Sequence, residues 1–137
     1  MSSDASAPSI QSVRRLSGSA RLNVAGLLAT AAAMLLQIVA GSTLYPSVTG
    51  PIVLAVTALA VAFVPARWAR YAGLVVPLVL GIGAMVAAAL TGDFIEQLTD
   101  LGSPAIFLGS VMHVAGLAAA IAGGVGMVIP RRQGGRA

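Results

Sequence analysis

Long apolar runs alternate with short polar breaks along this chain. Four such runs stand out, at 22–41, 51–68, 71–90 and 104–129. Twenty helical residues rise about 30 Å, the thickness of a bilayer's hydrocarbon core. The pattern predicts an all-α integral membrane protein: four transmembrane helices in an up-down bundle over 21–130, with both termini cytoplasmic. Residues 1–20 are polar and serine-rich and predict a disordered cytoplasmic N-terminal tail. Residues 131–137 form a short basic cytoplasmic tail.

The fourth run is the most patterned. On a helical wheel Gly109, His113, Gly116, Ala120, Gly123, Gly124 and Met127 share one face, and Phe107, Val111, Val114, Val125 and Ile129 lie opposite. The first face is suited to close helix contact and the second to lipid. Ser103 and Pro104 supply an N-cap and a first-turn proline, and Pro130 ends the run.

In the first run Ala25, Ala29 and Ala33 form a small-residue stripe, and Gln37 reads as the one strongly polar side chain. The second run opens on Pro51, carries the small pair Ala58 and Ala62, and is stopped or bent by Pro65. Arg67, Trp68, Arg70 and Tyr71 then make an interfacial belt. Gly73, Pro77, Gly81, Ala84 and Ala88 lie along one side of the third run. Pro77 is interior, so it is expected to kink the helix and to leave the carbonyl four residues earlier without its usual donor. Between the third and fourth runs, Asp93, Glu96 and Asp100 sit near one face of a short surface segment.

Arginine placement sets the orientation. Arg14, Arg15 and Arg21 precede the first run, Arg67 and Arg70 join the second to the third, and Arg131, Arg132 and Arg136 follow the fourth. Four crossings put all of these on one side, which the positive-inside rule makes cytoplasmic. The net charge of +4 is therefore explained by topology, and no nucleic-acid partner is expected.

Composition narrows the chemistry. The chain of 137 residues is 58% hydrophobic and 9% charged, against about 25% charged in soluble domains. Its lack of cysteine excludes disulfides, thiolate metal sites and a cysteine nucleophile. All basic residues are arginine, which with the alanine and glycine excess suggests a GC-rich bacterial gene and a multi-pass protein of the bacterial cytoplasmic membrane.

His113 is the one residue within the runs that titrates near neutral pH. It could relay protons, hydrogen-bond a quinone or ligate haem. The plainer expectation is an interhelical hydrogen bond, with Gln37 or a backbone carbonyl as its partner. A bis-histidine haem would need a second copy, so no cofactor is expected, and the scattered carboxylates give no metal site. Gly73, Gly81, Gly109, Gly116, Ala120, Gly123 and Gly124 are expected to act in helix packing. No catalytic set emerges, and no enzyme is expected. The expectation is a non-catalytic accessory or assembly subunit of a larger membrane complex, respiratory, transport or envelope-lipid, with other integral membrane subunits and lipid as partners. The alternative is a small oligomeric transporter or channel, a homo-oligomer with His113 and Gln37 near its pathway.

Overall fold

The computed structural model describes residues 16–41, 48–92, 95–96, 99 and 101–129. Among them there is no strand, and the architecture is four helices: α1 (Gly18–Val39), α2 (Thr49–Phe63), α3 (Arg67–Thr91) and α4 (Pro104–Val128). Three of these, α1, α3 and α4, are long and apolar enough to cross a membrane. Residues 1–15 of the expected 1–20 tail and the whole 131–137 tail lie outside the described residues, as do Asp93 and Asp100; residues 18–20 are already helical, and Glu96 is exposed.

Local chemistry sets the helix ends. Ser17 caps α1, its hydroxyl oxygen accepting from the Ala20 amide at 3.2 Å. The helix thus begins one turn before the expected start at Leu22. The second run differs more. α2 has 15 residues, about 22 Å of helix, and stops at Phe63 instead of continuing to Trp68. Val64 precedes Pro65 and is extended, at φ −90° and ψ 118°, as the proline ring's clash with an α-helical predecessor requires. Arg67 and Trp68 consequently open α3, where they are exposed together with Arg70 and Tyr71. Gly92 closes α3 in the left-handed conformation, φ 72°, with its amide bonded to the Ala88 carbonyl. Pro104 occupies the first turn of α4, and the Ser103 carbonyl accepts from Ile106 and Phe107; the Ser103 side chain makes no cap hydrogen bond.

α1 and α4 pack antiparallel and in register. Gly26 lies against Ala120, Thr30 against Gly116, and Gln37 against Gly109. The buried positions on α1 are Asn23, Gly26, Thr30, Ala33 and Gln37; on α4 they include Gly109, His113, Gly116, Ala120 and Gly123. Both sets alternate steps of three and four residues, the spacing that keeps two helices facing along a shared seam. The expected alanine stripe is not this seam: Ala25 is exposed, Ala29 half-buried and only Ala33 buried. Steps of four alone advance about 40° around the helix each time and leave the contact line.

The other side of α1 builds the apolar core. Leu27, Ala31 and Met34 meet Leu54 and Ala58 of α2. α3 joins through its first half, where Ala69, Gly73, Pro77 and Gly81 are buried. A wide apolar surface remains exposed, including Leu28, Val56, Val75, Ile82 and Val114. A water-soluble fold rarely leaves so much contiguous apolar surface, whereas a bilayer solvates it.

Candidate functional site

The α1–α4 seam collects the buried polar side chains Asn23, Thr30, Gln37, Ser110 and His113. The seam is narrow because glycine permits backbone contact. A Cβ at Gly116 would lie 2.9 Å from the Thr30 amide nitrogen and 3.0 Å from the Gly26 carbonyl oxygen. A Cβ at Gly124 would lie 2.9 Å from the Leu74 Cα on α3. The small residues Gly73, Gly81, Gly109, Gly116, Ala120, Gly123 and Gly124 are all buried against this chain's own helices.

Asn23 is the seam residue that the sequence pattern conceals. It is the second residue of the first run, in which Gln37 reads as the one strongly polar side chain. It is nevertheless fully buried and bonds to two other helices. Its side-chain nitrogen donates to the Gly73 carbonyl on α3 at 2.7 Å and to the Ala120 carbonyl on α4 at 2.6 Å. Gly73 lies four residues before Pro77, so its carbonyl is the one that proline deprives of a helical N–H. Asn23 supplies the missing donor. The Asn23 carbonyl oxygen sits where a Cβ of residue 73 would lie, 2.7 Å away, and has no hydrogen-bond partner among the described residues. The signal available in sequence was phase: Asn23 falls on the same three-and-four spacing as Gly26, Thr30 and Gln37.

Gln37 pairs with Ser110. Its amide donates to the Ser110 hydroxyl at 3.2 Å, one turn before His113 on α4, and Ser110 in turn donates to the Ile106 carbonyl at 2.9 Å. Thr30 donates to the Gly26 carbonyl at 2.8 Å. The Gln37–Ser110 bond crosses the seam, while Thr30 and Ser110 donate to carbonyls one turn back in their own helices, which is how polar side chains are accommodated in an apolar environment.

His113 is 7% exposed and is the one titratable side chain buried among the described residues. It lines two apolar cavities. One, of about 460 Å³, lies between α3 and the other helices and includes Thr30, Met34, Leu54 and Gly83 in its walls. The other, of about 590 Å³, lies between α3 and α4 beside Ile82, Met85 and Val114. Ala84 and Leu117 also border both. The cavities exist because α3 packs loosely beyond Gly81: Ala84 and Ala88, aligned with Gly73 and Gly81 in sequence, are only half-buried.

Among the described residues no group of three or more His, Asp or Glu side chains could hold a metal ion. The arrangement offers hydrogen bonding within an apolar wall. No protein-family model matches the chain, and no curated protein and no solved structure matches it.

Proposed function

We propose that this chain is a non-catalytic accessory or assembly subunit of a larger bacterial membrane complex, held in the cytoplasmic membrane as an up-down bundle of four crossings with both termini cytoplasmic. The antiparallel contacts of α1 with α4 and the arginine distribution support that topology. α2 is short for a crossing, and the extended residues 64–66 or local thinning of the bilayer makes up the difference.

The observation that carries the subunit reading is the outer half of α3. From Ile82 to Thr91 no residue is buried, although Gly83, Ala84, Ala87 and Ala88 give this stretch small faces. In lipid, helices associate through close approach of such faces and not through apolar burial. Gly109, Gly116, Ala120, Gly123 and Gly124 of α4 are consumed within the chain, and we assign the docking face to α3 and the groove beside Ile82 and Met85, with the exposed Ala115, Ala118 and Ala122 of α4 as further small surface. The same consumption counts against a conducting path along His113 and Gln37 within one chain, because backbone contacts close that seam.

The test is extraction from native membranes in mild detergent followed by mass spectrometry of the intact assembly. Foreign membrane subunits in fixed ratio are expected. A monomer alone, both in detergent and on cross-linking in membranes, sinks the reading, and a pure homo-oligomer favours a transporter or channel instead.

A further inference from the structure

Two kinds of glycine environment coexist in this small bundle. Along the seam, glycines meet backbone at about van der Waals distance or closer. Gly83 meets nothing: a Cβ there finds no atom within 4 Å. It faces the cavity of about 460 Å³, whose size falls in the range of about 300–1,000 Å³ common for small-molecule sites. Gly50, Ala84 and Ala87 line the same space, so small residues create it. The space is open on one side, and whatever occupies it from the surroundings supplies the dispersion contacts of its walls.

The walls define the occupant's chemistry. Met34, Leu54, Leu80 and Leu117 are apolar. Among the described lining residues Thr30 and His113 carry the polar side chains, and none has a fixed charge. The Thr30 proton is committed to Gly26, which leaves the hydroxyl oxygen as an acceptor, and an imidazole can donate or accept. A charged head would lie in an apolar site without a counter-ion, at high cost. Val79, Gly83 and Ala87 are exposed, so the cavity opens between helices toward the surroundings.

We propose that this cavity binds a neutral amphiphile of the lipid phase, its carbonyl- or hydroxyl-bearing head against His113 and Thr30 and its apolar tail leaving beside Gly83. Quinones and neutral glycerides share this chemistry. The site shares His113, Ala84 and Leu117 with the α3 groove assigned to a partner, and Gly83 and Ala87 with the docking face, but binding is read on the isolated chain, so failure of one proposal is distinguishable from failure of the other.

The experiment titrates the purified full-length chain in detergent with decylubiquinone, dioctanoylglycerol or dioctanoyl-phosphatidylglycerol and counts bound molecules by native mass spectrometry. Saturable binding of one neutral probe per chain is expected, and preference between the two neutral probes identifies the head group. Gly83→Leu fills the cavity and lowers affinity about tenfold or more, roughly the loss of one good contact set. Ala87→Leu is the second filling variant should Gly83→Leu fold poorly. His113→Leu weakens binding, and His113→Gln retains most of it. Absence of saturable binding, equal affinity in the folded filling variants, or equal binding of the anionic lipid would overturn the proposal.

Discussion

Asn23 on α1 donates a hydrogen bond to the Gly73 carbonyl on α3, the carbonyl left without a helical donor by Pro77. One side chain thus compensates, through Gly73 fifty positions away, for the proline at Pro77, and its second bond to Ala120 ties in α4. A proline inside a membrane helix is tolerated when a neighbour satisfies the freed backbone group.

Removing Asn23 is therefore expected to be costly in a specific way. Asn23→Leu should lower bundle stability by about 1–2 kcal/mol, since a buried carbonyl loses its donor. Pro77→Ala restores the amide of residue 77 as donor to Gly73. In that background the same Asn23→Leu change should cost roughly 0.5–1 kcal/mol less. Unfolding in mixed detergent micelles measures the cycle; strictly additive effects would show that the bond to Gly73 does not compensate Pro77.

Glycine positions should divide sharply by environment. Gly116→Leu and Gly124→Leu drive side chains into facing backbone and should each destabilise the bundle by about 2 kcal/mol or more. Gly83→Leu faces open space and Val114→Leu an exposed helix face, so both should be near neutral. The same unfolding assay decides: equal losses at Gly116 and Gly83 would contradict the close seam.

Gln37 and Ser110 should behave as a coupled pair. Ser110→Ala removes the acceptor for the Gln37 amide, at about 0.5–1 kcal/mol. Gln37→Leu loses the same bond, so the double variant should be less unstable than the sum of the two. Additivity would indicate that their hydrogen bond contributes nothing.

Orientation is open to chemical labelling because the chain has no cysteine. A cysteine at Asp93 should react with an impermeant thiol reagent in intact cells, and one at Arg67 should react only after the cells are opened. The reverse pattern would invert the topology.

The sequence by itself determined where the helices lie. Length and hydropathy place α1, α3 and α4 within a turn or so of their observed ends, because those signals are local. Pro104 and Pro65 mark a start and a stop through steric rules acting on adjacent residues. The small face of α4 was legible too, since all its members share one helical phase. Which helix meets that face was not, because a wheel gives the direction of a side chain and not its neighbour. Register along the seam decides that Gln37 reaches Ser110. Divergence of α3 beyond Gly81 decides that Ala84 and Ala88 border cavities where their sequence phase suggested contact. Asn23 is the clearest case: in the sequence it is a single polar residue near the start of an apolar run. Only the meeting of three helices gives its amide two carbonyls to bond, one of them, at Gly73 fifty residues distant, freed by Pro77.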